Sequence, residues 1–383
     1  MRLEECRTAL VHHWFLGLAG GERVCEALCR MLTAPDLFAL LANPAAVPLA
    51  LRELSVTTSF LQRLPGSRRW YRYYAPLFPL AVESFDLSAY DLVISSDASA
   101  VKGVITRPET CHICYCHSPM RYAWNLSHEY LGDPRSLRHW IMALGLHYLR
   151  LWDYSASSRV DYFVANSLTV RDRIRKYYRR NAAVIYPPCD LGIFAIESKV
   201  DDYYLFVGRL VSYKRADIAV KAFSQNGHRL IVVGEGPEEN RLKSMAAKNV
   251  ELLGRISDDQ LAQLYASCKA LVFPGEEDFG LVPVEAQACG RPVIAFRKGG
   301  ALESVIEDET GLFFNHQTPE ALNTVVAEFE RGMDRFCPDA ARRNARRFNK
   351  ERFQEEMTFF IQRSLDDHQR LLADPKACQI LPQ

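Results

Sequence analysis

Apolar runs of strand-like length alternate with helical segments in both halves of the chain, and this alternation most limits the possible folds. The strands predicted in the first half are Ala9–Phe15, Asp91–Ser95, Val101–Thr106, Cys111–His117 and Tyr162–Ala165. Those predicted in the second half are Tyr203–Val207, Leu230–Val233, Val250–Leu253, Ala270–Phe273 and Val293–Phe296. Strands separated by about ten to fifteen residues of helical pattern favour parallel βαβ units. We therefore predict an α/β protein with parallel sheets.

A break in the pattern divides the chain into two domains. Two consecutive prolines in the run Tyr186–Asp190 end a strand, and polar residues continue to Asp202. At 383 residues the chain is long enough for two domains of ordinary size. We predict doubly wound, Rossmann-like domains at residues 1–190 and 198–350, with a cleft between them, and a helical segment at 351–383.

Composition excludes several classes of function. The 47 Lys and Arg residues nearly balance the 46 Asp and Glu residues, which is not the basic footprint of a nucleic-acid-binding protein. No apolar run reaches the roughly eighteen residues of a membrane span, and the N-terminus does not resemble a signal peptide. The 11 cysteines lack the spacing of a disulfide scaffold, so we expect thiols in a cytoplasmic protein.

Two carboxylates, Glu277 and Glu285, form the main candidate site. Glu277 follows the predicted strand Ala270–Phe273, and Glu285 lies in the first turns of the helix Leu281–Ala288. In open α/β sheets, ligands bind at the carboxyl ends of the strands. Carboxylates accept hydrogen bonds from hydroxyls, and the amides of Phe279-Gly280-Leu281 at a helix start suit an anion. This combination predicts a sugar phosphate or nucleotide sugar as ligand.

A second candidate site joins Gly208, Arg209 and Lys214, which follow the predicted strand Tyr203–Val207. Arginine offers a planar fork to phosphate oxygens, and lysine offers a compact charge. Fixed cations stabilise the charge that develops on a departing diphosphate. The alternative interpretation is an ordinary pair of solvated cations beside a helix.

The segment E-D-F-G-L-x-x-x-E-A-x-A-C-G-x-P-V-I-A, which begins at Glu277, resembles the E-x7-E motif of retaining glycosyltransferases of family 4. The run G-R-x-x-x-x-K from Gly208 to Lys214 matches the same family. The resemblance, which extends to bacterial mannosyltransferases of polysaccharide and O-antigen assembly, implies a GT-B fold whose last helix crosses back to the first domain. It also implies that Glu285 holds the ribose, that Glu277 holds the donor sugar, and that Arg209 and Lys214 bind the diphosphate.

Further residues are assigned by this resemblance. Gly20 and Gly21 resemble a glycine loop that packs against the donor phosphates, and backbone near Arg255 and Ile256 binds the base. His117 heads the motif H-S/T-P-x-R-Y-x-W and contacts the transferred sugar. Its acceptor-side residues are Arg121, Tyr122 and Trp124. His13 stands where relatives often have aspartate, so this acceptor-side position lacks a permanently ionised carboxylate.

Two other segments have alternative interpretations. Cysteines and histidines between Cys111 and His117 suggest zinc, but successive strand residues face opposite sides and cannot all converge on one ion. Arginines alternate with aromatic residues in Phe60–Pro79, which suits an anionic membrane surface, RNA or plain core packing. The residues concerned are Arg63, Arg68, Arg69, Arg72, Trp70, Tyr71, Tyr73 and Tyr74.

We therefore predict a retaining, metal-independent hexosyltransferase that needs no cofactor and uses a nucleotide-sugar donor. The resemblance favours GDP-mannose, although the residues also fit UDP-sugars. The expected acceptor is a lipid-linked or growing polysaccharide at the inner face of the cytoplasmic membrane, which the protein contacts reversibly. The alternatives are a GT-B sugar-nucleotide epimerase and a non-catalytic protein that binds nucleotide sugars.

Overall fold

The computed structural model of the chain describes residues 2–17, 20–131 and 133–374, which divide into two compact units. The first unit contains the residues up to Tyr186 and those from Phe353 onward. The second unit is Pro187–Arg352.

The first unit is built on a parallel sheet of seven strands among its described residues, in the order β3-β2-β1-β4-β5-β6-β7. The strands are β1 Thr8–Phe15, β2 Asp36–Ala42, β3 Val56–Thr58, β4 Leu92–Asp97, β5 Cys111–Cys116, β6 Tyr162–Ala165 and β7 Ala182–Val184. The strand order reverses between β1 and β4. A crevice at such a reversal is where open α/β sheets bind ligands.

Helices cover both faces of this sheet because alternate strand residues point to opposite sides. The helices are α1 Gly20–Met31, α2 Ser67–Trp70, α3 Phe78–Glu83, α4 Ser127–Leu131, α5 Leu137–Ser157, α6 Leu168–Tyr178 and α14 Lys350–Ala373, the last in the chain. On one face, α14 packs a residue from every turn into the core that also contains α1. These α14 residues are Phe353, Met357, Ile361 and Leu365. Leu149 of α5 and Val82 of α3 belong to the core of the other face.

The second unit has a parallel six-stranded sheet in the order β10-β9-β8-β11-β12-β13. The strands are β8 Tyr204–Val207, β9 Leu230–Val233, β10 Val250–Gly254, β11 Ala270–Phe273, β12 Val293–Phe296 and β13 Gly311–Phe314. The helices are α7 Ala216–Asn226, α8 Glu239–Met245, α9 Asp258–Ser267, α10 Leu281–Ala288, α11 Ala301–Ser304, α12 Pro319–Arg331 and α13 Pro338–Ala345. Its order reverses between β8 and β11. Two doubly wound parallel sheets confirm the predicted fold class.

One predicted strand is wrong. Val101–Thr106 does not extend into the sheet, because Val101–Gly103 forms a single 3-10 turn after β4. Asp97 Oδ1 accepts the amides of Ser99 and Val101 at 3.0 and 2.9 Å, which turns the chain back at the strand end. Strands β2, β3 and β13 were not predicted, and β7 was predicted only as an unbounded strand before the prolines at 187 and 188.

Candidate functional site

Lys214 and Glu277 meet at the carboxyl edge of the second sheet. Lys214 ends a 3-10 turn after β8, and Glu277 lies in the loop after β11. Lys214 Nζ lies 2.6 Å from Glu277 Oε1, and each side chain is only 16% exposed. Strands β8 and β11 flank the reversal in strand order, so the two predicted site residues lie together where a ligand is expected.

Three glycines let the backbone around this ion pair pack closely. A Cβ on Gly208 would lie 3.1 Å from Lys214 Cδ, and one on Gly275 would lie 3.0 Å from Lys214 Cα. Gly299, at φ +68°, leaves only 2.4 Å between a hypothetical Cβ and the Glu277 carbonyl oxygen. Larger side chains at these positions would displace the backbone that carries both charges.

Glu285 is held by a residue that the sequence did not suggest. Its side chain lies on α10 and is buried, and its Oε2 accepts the hydroxyl of Tyr265 from α9 at 2.8 Å. Burial and this carboxylate raise the pKa of Tyr265 above its usual range, so the hydroxyl stays protonated and donates. The tyrosine thereby fixes the orientation of one carboxylate oxygen.

The segment Phe279-Gly280-Leu281 joins the loop after β11 to α10. Gly280 has φ +81°, a left-handed conformation that favours glycine, and Phe279 is buried against Phe348 with the ring centroids 5.2 Å apart. The helix begins at Leu281, and its first amides have no acceptor inside the helix. The packing of Phe279 against Phe348 therefore holds the loop next to this predicted anion site.

The other donor-side residues lie at different distances from the ion pair. Arg209 is exposed and directly follows Gly208. Arg255, which is exposed, and Ile256, which is half-buried, follow β10, two strands from β8 in the sheet. At about 4.8 Å per strand, the ends of β10 and β8 are roughly 10 Å apart.

Three histidines and Ser96 form a cluster at the carboxyl edge of the first sheet. Ser96, near the end of β4, places its Oγ 3.0 Å from His12 Nδ1 and 2.8 Å from His117 Nε2. His13 donates from Nδ1 to the Ser96 carbonyl oxygen at 3.3 Å. The structure thus brings the predicted residues His13 and His117 together around a serine that the sequence analysis missed.

Gly21, at the start of α1, lies against the same cluster. A Cβ at this position would be 3.3 Å from His13 Cε1 and 3.9 Å from His117 Nε2. A side chain here would therefore crowd the rings, which gives Gly21 a packing role besides its predicted phosphate role. A set of three buried side chains next to Gly21 could hold a metal ion. One ligand atom from each of His12, His13 and Glu22 lies within 4.8 Å of the other two.

The acceptor-side residues have protein partners of their own. The Tyr122 hydroxyl lies 2.9 Å from Ser99 Oγ, and Trp124 Nε1 donates to Asp153 at 2.7 Å. The Trp124 ring stacks on Tyr177 with the centroids 4.7 Å apart. Arg121 is half-buried. The indole N–H is therefore already used inside the protein.

A buried charge network that the sequence analysis did not find supports this region. Lys102 is fully buried and contacts the carboxylates of Asp97, at 3.2 Å, and Asp153. Burial alone would lower the pKa of Lys102, but Asp153 and Asp97 raise it above its usual range. Asp153 also accepts the hydroxyl of Tyr178 at 2.8 Å. The network ties the turn after β4 to helices α5 and α6.

Four buried histidines of the first unit have pKa values below that of an ordinary imidazole. Burial, together with a smaller effect of the neighbouring His13, lowers the pKa of His117 to about 3. Burial likewise lowers the pKa of His12 and His13, and it lowers that of His112 to about 4. A neutral His117 can donate a hydrogen bond to a sugar hydroxyl or accept one from it, but it does not act as a cation.

These pKa values predict that the first unit loses stability in mild acid. Because the folded-state pKa values are below 6.5, the unfolded chain binds more protons as the pH falls through 6.5. The unfolding free energy should therefore decrease between about pH 7 and pH 5 and be independent of these groups at higher pH. Denaturant unfolding of the full chain across this range measures the effect.

A matched pair of variants tests this assignment. His117→Asn should weaken the pH dependence, whereas His128→Gln, at an exposed position on α4, should leave it unchanged. Equal pH dependence in wild type and His117→Asn would contradict a contribution from this buried imidazole.

Comparison with known families covers most of the chain. The family described as "Glycosyltransferase Family 4" matches residues 18–192, and the one described as "Glycosyl transferases group 1" matches residues 194–348. The chain belongs to glycosyltransferase family 4. This membership confirms the predicted family and places the E-x7-E carboxylates in the second of the two matched regions.

Curated relatives resemble this family 4 chain over part of its length. An uncharacterized glycosyltransferase of Methanocaldococcus jannaschii is 32% identical over 178 residues, which are 45% of this chain and 50% of the relative. A GDP-mannose-dependent alpha-mannosyltransferase of Mycobacterium tuberculosis is 36% identical over 132 residues, 33% of this chain and 35% of the relative. The matches thus span about half or less of these relatives.

A solved structure matches nearly the whole family 4 chain. HepE from Anabaena, in complex with UDP and glucose, has a TM-score of 0.71 at 18% identity and covers 93% of this chain and 99% of its own. Identity this low supports the fold alone. It confirms the GT-B fold predicted from the sequence.

Proposed function

We propose that this family 4 protein is a retaining, metal-independent glycosyltransferase that moves a hexose from a nucleotide-sugar donor to a glycan or lipid-linked acceptor. The observation that carries the proposal is the contact of Lys214 with Glu277 at the strand-order reversal, with Glu285 on the adjoining helix. A cation suits the donor diphosphate, and the carboxylates suit hydroxyls of the sugar and the ribose.

The reaction breaks the bond between the anomeric carbon and the donor β-phosphate oxygen, which keeps the electron pair. Lys214 and Arg209 stabilise the resulting charge. The acceptor hydroxyl attacks from the face that the diphosphate leaves, and its proton passes to a phosphate oxygen. The configuration is therefore retained without a side-chain nucleophile, and neutral His117 orients a sugar hydroxyl.

Lys214 and Glu277 neutralise each other across their 2.6 Å contact. A donor that places its diphosphate against Lys214 and a sugar hydroxyl against Glu277 replaces one ion pair with two charge-assisted contacts. Because each partner is mostly buried, neither charge is well solvated before the donor binds. The pair is thus prepared for a ligand that carries both an anion and hydroxyls.

GDP-mannose is the proposed donor, and UDP-hexoses are the alternative. The mannosyltransferase of M. tuberculosis, named as GDP-mannose-dependent, supports the first choice. Incubating the protein with matched GDP- and UDP-sugars, with and without glycan acceptors, tests the proposal. Slow hydrolysis that an acceptor diverts into a glycoside is expected. Conversion of the donor to an epimer, or binding without any product, would contradict it.

We expect activity to persist after exhaustive chelation. The proposed diphosphate contacts are Lys214, Arg209 and the first amides of α10, so the reaction needs no divalent ion to neutralise the leaving group. Initial rates with EDTA and with added magnesium or manganese should agree within about twofold. A rate abolished by EDTA and restored by either ion would refute the metal-independent mechanism.

We further propose reversible contact with an anionic membrane surface. No helix in the described part of the chain is long and apolar enough to cross a membrane. Helix α5, however, carries a stripe of exposed apolar residues whose spacing follows one helical face. They are Leu137 at 76%, Trp140 at 64%, Ile141 at 65%, Leu144 at 70%, Tyr148 at 48% and Leu151 at 60% exposure.

The aromatic segment around α2 supplies basic residues to the proposed membrane-contacting surface. Trp70 and Tyr73 are 50% and 77% exposed, whereas Tyr71 packs on Trp14 with the ring centroids 4.9 Å apart. Core packing therefore accounts for part of this segment only. The exposed arginines are Arg63, Arg68, Arg69 and Arg72. Each basic residue near an anionic surface contributes about 1 kcal/mol, so several are needed for stable contact.

Vesicle co-sedimentation tests the membrane contact. Wild type should pellet with anionic vesicles and remain in solution with zwitterionic ones. An Arg68→Glu/Arg69→Glu/Arg72→Glu variant and an Ile141→Gln/Leu144→Gln variant should each pellet several-fold less. Phe359→Gln, which replaces a 70% exposed apolar residue on α14, is the control and should behave as wild type. Equal pelleting of all variants would contradict the proposal.

A further inference from the structure

Cys111, Asp161 and His368 meet at the amino edge of the first sheet. Cys111 begins β5, Asp161 immediately precedes β6, and His368 lies on α14. The thiol, one carboxylate oxygen and one ring nitrogen all lie within 4.8 Å of one another. Three segments that are distant in the chain thus bring a sulfur, an oxygen and a nitrogen ligand to one point.

A second, independent observation on His368 points to a ligand. Its side chain is 9% exposed, and its Nε2 atom is buried without a hydrogen-bond partner among the described residues. An unsatisfied buried polar atom is unfavourable by about 1–3 kcal/mol. A ligand bound to this nitrogen would satisfy it, and Cys111 supplies a buried thiol within 4.8 Å of one nitrogen of the His368 ring.

We propose that Cys111, Asp161 and His368 bind a zinc ion that fastens α14 to the sheet of the first unit. Thiolate, imidazole and carboxylate are the ligands that zinc prefers, whereas calcium and magnesium favour oxygen alone. With metal–ligand distances of about 2.0–2.3 Å, ligand atoms that lie within 4.8 Å of one another must approach by at most about 1 Å to bind one ion. Asp161 is exposed, so a water molecule can reach the fourth position.

Hydrogen bonds to its side chain and to its backbone already hold Asp161 in place. Asp161 Oδ2 accepts the amide of His112 at 2.8 Å, and Arg180 donates to the Asp161 carbonyl oxygen at 2.9 Å. Such outer contacts commonly hold metal ligands in place. Burial raises the pKa of the Cys111 thiol above its usual range, and the charge of Asp161 adds to this. Zinc binding therefore releases the thiol proton.

The site is structural and separate from the histidine cluster. Cys111 and Cys116 are the two ends of β5, and His117 follows Cys116. At about 3.3 Å per residue, the proposed zinc lies roughly 17–20 Å along the strand from His117. Zinc there would lock the C-terminal turns of α14, beyond the packed residues Ile361 and Leu365, to β5 and β6. It would not take part in the transfer reaction.

Metal content and cobalt substitution test the proposal in the full chain. The protein, purified without chelators and supplied with zinc, should hold one equivalent after desalting. Cobalt bound in its place should give the intense near-ultraviolet band of a thiolate–cobalt bond. Zinc at a hundredfold excess over its Kd should raise the unfolding midpoint by about 5 °C or more. Folded wild type without zinc uptake, or a cobalt spectrum without a thiolate band, would overturn the proposal.

Substitutions locate the ion. Cys111→Ala and His368→Gln should each lower zinc affinity at least tenfold, while Cys114→Ala on the same strand should retain it. Zinc retained in both site variants, with the cobalt thiolate band missing, would instead place the ion at His12, His13 and Glu22 and overturn the assignment. Because the readout is metal content, the outcome does not depend on the proposed transferase activity.

Discussion

Lys214→Ala is expected to lower kcat and kcat/KM together by about a hundredfold or more while the chain stays folded. The lysine stabilises charge that develops on the leaving diphosphate, and loss of a contact made mainly in the transition state lowers both constants. Initial-rate kinetics with the donor identified in the panel measure the effect. Arg209→Ala should act in the same direction.

The control for this prediction is Lys221→Ala, which removes an exposed lysine from α7 in the same unit. Its kinetics should match wild type. Near-normal kcat in Lys214→Ala and Arg209→Ala would refute the phosphate role of both residues. Because Lys214→Ala leaves Glu277 without its partner in a mostly buried position, circular dichroism and a thermal midpoint must accompany the kinetics.

The contact of Lys214 with Glu277 also predicts non-additive kinetics. Residues in direct contact commonly show interaction energies of about 0.5–3 kcal/mol in double-mutant cycles. A Lys214→Ala/Glu277→Gln variant should therefore lose less activity than the product of the single losses. Strict additivity would mean that the 2.6 Å pair has no energetic role in the working enzyme.

The regular parts of the fold could be predicted because buried parallel strands are continuous apolar runs. Leu230–Val233, Ala270–Phe273 and Val293–Phe296 begin and end where the sequence predicted. Val101–Thr106 was predicted from a similar apolar pattern but turns back, because Asp97 accepts the amide of Val101 and Lys102 is buried in an ion pair with Asp97. Hydrophobicity alone does not report such local hydrogen bonding.

The candidate site was predictable where its residues follow strand ends. Glu277 and Lys214 were each placed at such an end, and parallel pairing of β8 with β11 then brings them together. Tyr265 and Ser96 carry no motif, and they matter only because the fold brings each to a predicted site residue from a distant segment. His368 likewise could not be predicted as a ligand from the sequence, because only the packing of α14 brings it close to Cys111. A single sequence does not predict such contacts between segments that are distant in the chain.

Glu285→Gln is expected to weaken binding of the free nucleoside diphosphate by about tenfold or more, whereas Glu277→Gln should leave that affinity nearly unchanged. The ribose is present in donor and product alike, and a charged hydrogen bond contributes about 1.5–3 kcal/mol. The partner of Glu277 is the transferred sugar, so its loss should instead lower kcat by about a hundredfold. Calorimetry with the diphosphate and kinetics with the full donor separate the two effects.

Tyr265→Phe provides the matched test of how Glu285 is held. It removes only the hydroxyl that donates to Glu285 Oε2 at 2.8 Å and keeps the buried ring. If that hydrogen bond orients the carboxylate toward the ribose, Tyr265→Phe should weaken diphosphate binding in the same direction as Glu285→Gln, but by a smaller factor. It should leave the kcat that depends on Glu277 unchanged. Affinity lost in Glu277→Gln and retained in Glu285→Gln would mean that the roles of the two carboxylates are reversed.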